Sequence, residues 1–155
     1  MKTKTTKAIV VGGLIGGAGD LLFAIAWAGI NGMAPQKLLQ VIASGWFGNA
    51  AFDGGWSTAL LGFASHFGIA LVVAALFSAL ATRIPALLKR PLVAGIALGI
   101  ATFLVMRLVV LPLSAFPFPV KMFTLGAGLD LLSHMFLFGT PIAFARRYLV
   151  GSPVG

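Results

Sequence analysis

The chain has 155 residues, of which 59% are hydrophobic and 9% charged, and its mean hydropathy is +1.05. A soluble domain of this size has no core large enough to bury so much apolar surface, so the composition predicts an integral membrane protein. The net charge of +8 does not indicate nucleic-acid binding, because the basic residues flank the apolar stretches, and the absence of cysteine excludes disulfides and thiolate metal sites.

Four apolar stretches are each long enough for a helix that crosses the hydrocarbon layer, which needs about 20 residues. They cover residues 8–30, 57–81, 92–113 and 122–145. The apolar runs are continuous and do not alternate with polar residues, so helices are expected and barrel strands are not. The sequence therefore predicts an all-α fold, a four-transmembrane-helix bundle that forms a single membrane domain and has the lipid bilayer as its partner.

The basic residues are unevenly distributed around these spans. Eight lie on one side and two on the other: Lys2, Lys4, Lys7, Arg83, Lys89, Arg90, Arg146 and Arg147 against Lys37 and Lys121. The positive-inside rule then predicts that both termini are cytoplasmic. A signal peptide is the alternative interpretation of the first span, but the apolar run is longer than an ordinary signal core and contains Asp20.

The longest loop contains a second kind of helix. Pro35 suits a first helical position, and residues 35–47 place Leu38, Leu39, Ile42 and Trp46 opposite Gln36, Lys37, Gln40 and Ser44. This pattern predicts a short amphipathic helix along the outer membrane interface. A re-entrant segment over residues 45–56 is the alternative.

Glycine pairs at a four-residue spacing lie in the first and third spans, at Gly12 and Gly16 and at Gly95 and Gly99. Such pairs let two helix backbones approach closely, so we expect helix packing within the chain, with a dimer contact as the alternative. An offset of 83 residues aligns the first pair on the second, and an offset of 68 aligns Ser65-His66 on Ser133-His134. These matches suggest two parallel-repeat hairpins, with coincidence as the alternative.

Five ionisable residues lie inside the predicted spans: Asp20, His66, Arg107, Asp130 and His134. An unpaired charge at a helix centre costs about 2.5–3.5 kcal/mol, so we expect these groups to form a polar cluster. Arg107 and Asp130 lie at similar depth on consecutive spans, which predicts an ion pair. Asp20 then either shares Arg107 or remains protonated. A purely structural clamp between helices is the competing interpretation.

Several functions fit such a cluster. Transport or sensing of protons or a small solute uses carboxylates and imidazoles as a relay, and with only four spans it favours a homodimer. The alternative is a non-catalytic accessory subunit or assembly factor of a larger membrane complex. A third interpretation is a haem b protein with His66 and His134 as axial ligands. No nucleophile elbow or convincing metal-ligand pattern occurs, so we expect no enzyme, no catalytic residue and no metal.

Several short motifs lie between residues 57 and 147: the residue pairs Ser65-His66 and Ser133-His134, residues 91–99, the LPLS turn of residues 111–114, and Arg146-Arg147. In these motifs this part of the chain resembles the YagU-like family of small bacterial inner-membrane proteins, a domain of unknown function. The resemblance implies a bacterial inner-membrane location and a link to acid stress, and it implies no known chemistry.

Overall fold

The computed structural model describes residues 2–151, and the regular secondary structure of this part of the chain is entirely helical, without a strand. Its helices are α1 (Lys2–Ile30), α2 (Pro35–Phe47), α3 (Gly55–Arg83), α4 (Pro91–Leu113) and α5 (Leu125–Val150), with short 3₁₀ turns at Gly48–Phe52 and Pro85–Lys89. All but α2 are long and apolar enough to cross a membrane. The prediction of an all-helical fold with four long apolar helices is confirmed.

The long helices form a row in the order α3, α1, α5, α4, and α2 packs against α3. Neighbours in the row are antiparallel. Gly12 of α1 faces Ile142 of α5, whereas Gly16 faces the earlier residue Phe138, and the glycine contacts of α1 with α3 and of α4 with α5 run in the same reversed order. The first and last helical residues, Lys2 and Val150, therefore lie at the same end of the bundle, which we call the basic end. The other end, formed by α2 and residues 114–124, is the α2 end.

Glycines bring α5 close to both of its neighbours. An added Cβ at Gly12 would lie 3.1 Å from the Cα of Ile142, and one at Gly16 would lie 2.7 Å from the carbonyl oxygen of Phe138. On the other side, added Cβ atoms at Gly95 and Gly99 would overlap the backbone of α5. The two glycine pairs predicted to pack helices therefore both face α5, within one chain.

The same pattern of glycine contacts occurs in both hairpins. The offset between the two halves, however, differs by one residue from the offset that the sequence suggests. Gly13 and Gly17 of α1 face α3, as Gly95 and Gly99 of α4 face α5, which corresponds to an offset of 82 residues. In the alignment predicted from sequence, with an offset of 83, Gly12 takes the place of Gly13. That one-residue difference matters because successive residues of a helix point about 100° apart.

The helix α2 lies where the sequence predicts it, but its orientation differs. Gln40 and Ser44, from the polar face, are buried, whereas Trp46 is exposed. The amide of Gln40 donates a hydrogen bond of 3.1 Å to the carbonyl oxygen of Gly55 at the start of α3. Since this loop contains backbone carbonyl groups that need donors, the polar face of α2 turns towards the protein.

Candidate functional site

Two prolines distort the helices that carry the candidate residues. Pro112 and Pro141 lack an N–H group, and a π-helical turn precedes each of them, at Met106–Val110 and His134–Gly139. The N–H group of the residue before each proline bonds the carbonyl oxygen five positions earlier. Arg107 and His134 lie within these two turns, a backbone irregularity that is frequent at functional sites.

The predicted ion pair between Arg107 and Asp130 is confirmed. Nη2 of Arg107 lies 2.9 Å from Oδ2 of Asp130, and Nη1 donates a hydrogen bond of 2.7 Å to the carbonyl oxygen of Lys121. The guanidinium group also lies over the ring of Phe103, 4.8 Å from its centroid. These contacts neutralise Asp130 and connect α4 to the start of α5.

The second carboxyl group, Asp20 on α1, does not share Arg107, so the first of the two predicted alternatives is wrong. The second alternative, a protonated Asp20, stays a prediction. Its Oδ1 atom accepts a hydrogen bond of 2.7 Å from Oγ of Ser133 and lies 3.4 Å from Nδ1 of His134. The reason lies in the packing of the bundle, because the glycine contacts between α1 and α5 bring Asp20 against α5, while Arg107 points from α4 to Asp130.

The imidazole of His134 links the two carboxylates. Its Nδ1 atom donates a hydrogen bond of 2.9 Å to the carbonyl oxygen of Asp130, and Oδ1 of Asp130 lies 3.3 Å away. Because all the oxygen atoms around Nδ1 are acceptors, this nitrogen carries the proton in the neutral ring, and Nε2 is the nitrogen that gains a second one. The groups form one continuous chain: Asp20, His134, Asp130 and Arg107.

The fifth predicted residue, His66, does not belong to this chain of contacts. Its Nε2 atom donates a hydrogen bond of 2.8 Å to the carbonyl oxygen of Gly17, and thereby connects α3 to α1. The neighbouring Ser65 accepts a hydrogen bond of 2.9 Å from the indole of Trp46. His66 lines the same cavity as the other four residues, but from a different helix.

A cavity of about 960 Å³ occupies the α2 end of the bundle and reaches down to the cluster. Residues from all five helices line it, including Asp20, His66, Arg107, Asp130 and His134, together with aromatic side chains such as Trp27, Trp46 and Phe103. The segment after α4 closes part of its rim, where the N–H group of Ala115 donates to the carbonyl oxygen of Gly45. The five ionisable residues therefore share one large space, which lies towards the α2 end.

The basic end of the bundle is packed. Small side chains such as Ala70, Ala74 and Ala143 form a continuous apolar core with Phe138 and Ile142, all of them buried. This core begins directly beyond His134. The cavity thus reaches the polar cluster and Phe138, and the buried apolar core continues from Phe138 towards the basic end.

The donor atoms of Asp20, Asp130 and His134 lie within 4.8 Å of one another, close enough in distance for three metal ligands. Their existing partners argue against that role. Arg107 already neutralises Asp130, and the Nδ1 atom of His134 donates to a carbonyl group, which leaves it no lone pair for a metal. The arrangement suits the binding and transfer of protons better than the binding of a metal ion.

Ser133 is the partner that sequence reasoning misses, because there it serves only to align the two halves of the chain. A signal was present, since residues 130, 133 and 134 have the spacing of one helix face. Three polar residues on one face of an apolar helix indicate a common contact.

No family model, no curated protein and no solved structure matches the chain.

Proposed function

We propose that this chain is a multi-pass protein of a bacterial inner membrane, with both termini in the cytoplasm. Large apolar side chains such as Leu22, Leu60 and Leu76 are exposed on the outside of the helices, as a lipid environment requires. The antiparallel order of the helices collects eight basic residues at the basic end, which supports a cytoplasmic position for that end. The resemblance to YagU-like proteins supports the choice of membrane.

Within this membrane, the protein moves or senses protons or a small solute. The observation that carries this proposal is the cavity of about 960 Å³ that ends at the Asp20–His134–Asp130–Arg107 chain. Ionisable groups inside a membrane protein are costly, and those that line a water-filled space mark ion or substrate pathways. A relay through His134 has an entry from the cavity at Nε2 and two carboxylates that stabilise the imidazolium ion.

The alternative, an accessory subunit or assembly factor of a larger complex, predicts a dry and fully paired cluster and an exposed apolar or glycine-lined groove. The open cavity favours transport or sensing over that alternative. Gly12, Gly16, Gly95 and Gly99 are covered by α5, so they provide no such groove. A haem would need the Nε2 atom of His66 as a ligand, and this nitrogen is bonded to the carbonyl oxygen of Gly17.

Proton flux into liposomes tests the function. The purified protein is reconstituted with a pH-sensitive dye inside the vesicles, and flux is driven by a pH gradient. We expect flux for the wild type and a large loss for His134→Gln and Asp20→Asn. Asp53→Asn is the matched control, because Asp53 is exposed and lies outside the cavity.

The proposal also includes sensing, so tryptophan fluorescence is recorded over pH 5–8 on the same samples. Trp27 and Trp46 line the cavity and will report a change at the cluster. Flux equal to that of empty liposomes, together with fluorescence that does not respond to pH, would overturn the proposal. If the His134→Gln variant behaves as wild type in both assays, His134 takes no part in the mechanism.

Labelling of single cysteines tests the topology, since the chain has no cysteine of its own. Thr3 and Lys37 are exposed at opposite ends of the bundle. In intact cells with a permeable outer membrane, Lys37→Cys should react with an impermeant maleimide, and Thr3→Cys should react only after the inner membrane is opened. The reverse pattern would invert the proposed orientation.

A further inference from the structure

The charges of the cluster do not balance when His134 is neutral and both aspartates are ionised. Two carboxylates, Asp20 and Asp130, lie against a single guanidinium group, that of Arg107. We propose that the remaining negative charge binds an organic monocation with an apolar body, and that this cation and one proton on His134 exclude each other. This inference rests on the proposed function and names the class of solute and its coupling to protons.

The carboxylate of Asp20 is the group that binds the cation. Arg107 bonds Asp130 directly, whereas Asp20 has only neutral Ser133 and the imidazole of His134 as neighbours through Oδ1. Asp20 is 6% exposed and lines the cavity, and its Oδ2 atom has no hydrogen-bond donor among residues 2–151. A buried carboxylate with a free oxygen beside an open cavity needs a positive partner.

The walls of the cavity select an organic cation over a small inorganic one. A space of about 960 Å³ is of the size that holds drug-sized molecules, and apolar and aromatic side chains form most of its lining. Trp27, Trp46, Phe23 and Phe116 lie in this lining. Aromatic faces attract cations, and the contact of Arg107 with the ring of Phe103 is already one example at this site.

The competition with a proton follows from the position of His134. A second proton enters at Nε2 and makes the imidazolium ion the partner of the Asp20 carboxylate, 3.4 Å away. When the organic cation reaches Asp20, two positive charges lie side by side between apolar walls and repel each other, so the proton leaves Nε2 and passes through the cavity to solvent. One proton is released for each cation that binds, and the net charge of the cluster does not change.

Two other ionisable groups line the cavity, His66 and Lys121. The Nε2 atom of His66, on α3, donates a hydrogen bond to the carbonyl oxygen of Gly17 and therefore does not face Asp20. Lys121 lies in the segment before α5, is exposed and contributes its carbonyl oxygen to Arg107. An exposed ammonium group is screened by water and salt, so it has little influence on a cation bound at Asp20.

Tetraphenylphosphonium and tetraphenylborate provide the test, because they share size and shape and carry opposite charges. Binding of each radiolabelled ion to the purified protein in detergent is measured by equilibrium dialysis. We expect saturable binding of the cation and none of the anion. Asp20→Asn should weaken cation binding roughly tenfold or more, and the control Asp53→Asn should leave it unchanged. Equal binding of both ions, or no effect of Asp20→Asn, would overturn the proposal.

The wild-type protein supplies a second test that does not depend on how a variant folds. Cation binding in weakly buffered solution should release protons, and the dissociation constant should rise as the pH falls, by up to about tenfold per unit for one coupled proton. His134→Gln should bind the cation with neither effect. Cation binding without proton release would overturn the coupling. Proton flux in liposomes without cation binding would leave the proposed function standing and overturn this inference alone.

Discussion

Ser133 donates a hydrogen bond of 2.7 Å to Oδ1 of Asp20, although 113 residues separate them in the chain. The bond joins the first long helix to the last at the base of the cavity. Next to it, His134 approaches the same carboxylate oxygen to 3.4 Å. Two successive residues of α5 therefore lie against Asp20, one a neutral hydroxyl donor and the other an imidazole that carries a charge only when it is protonated.

Removal of the Ser133 hydroxyl should destabilise the protein more than removal of the equivalent hydroxyl in the other half of the chain. Ser133→Ala takes a donor from a buried carboxylate, which costs about 1–3 kcal/mol of unfolding free energy. Ser65→Ala removes only the acceptor of the exposed Trp46 indole and should cost about 0.5 kcal/mol or less. Unfolding in mixed detergent micelles measures both, and equal costs would contradict the special role of Ser133.

The ion pair between Arg107 and Asp130 should show a favourable coupling energy. Arg107→Leu alone leaves a carboxylate without its partner, and Asp130→Leu alone leaves a guanidinium group without one. The side chains are 19% and 32% exposed, so we expect a coupling of about 1–3 kcal/mol, between the values for surface pairs and for buried pairs. A double-mutant cycle of unfolding free energies measures it. Additive costs would show that the two charges contribute independently.

Hydropathy was sufficient to find the four long helices, because length and apolar content alone decide which segments can cross a membrane. The Arg107–Asp130 pair was also predictable, since the two residues lie at similar depth on consecutive helices. Neither hydropathy nor depth in the membrane determines how a helix is rotated about its own axis. The partners of Asp20 depend on that rotation, and so they did not follow from the sequence.

Two other features show the same limit. The glycines of α1 form overlapping pairs, and only the packing distinguishes Gly12 and Gly16, which face α5, from Gly13 and Gly17, which face α3. The amphipathic pattern of α2 correctly predicted a helix, but it could not show that carbonyl groups of the following loop draw Gln40 inward.

Glycine packing against α5 can be tested with a matched pair of substitutions. The Cβ of Gly99→Ala would overlap the carbonyl oxygen of His134 and the Cα of Met135, so we expect a loss of about 2–3 kcal/mol in unfolding free energy. Gly68 lies on α3 with nothing within 4 Å of an added Cβ. Gly68→Ala should be neutral or stabilise the helix by up to about 1 kcal/mol. A neutral Gly99→Ala would show that α4 and α5 are not packed as described.

The orientation of α2 gives the last prediction. Ser44 is fully buried, and Lys37 is exposed on the same helix with its ammonium group 3.8 Å from the centroid of the Phe52 ring. A helix whose polar face is turned to water would expose both positions. We therefore expect the thiol of Ser44→Cys to be protected from labelling by a water-soluble maleimide, whereas the thiol of Lys37→Cys should be labelled at the rate of an exposed cysteine.

Unfolding in detergent should abolish the difference, which controls for intrinsic reactivity. Gln40→Leu provides the energetic counterpart. It removes the amide that donates to the carbonyl oxygen of Gly55, which keeps its hydrogen bond from the hydroxyl group of Thr58, so the substitution should cost about 0.5–1.5 kcal/mol of unfolding free energy. Rapid labelling at Ser44, or a Gln40→Leu variant as stable as the wild type, would mean that the polar face of α2 is turned away from α3. The cavity would then lose the wall that α2 provides.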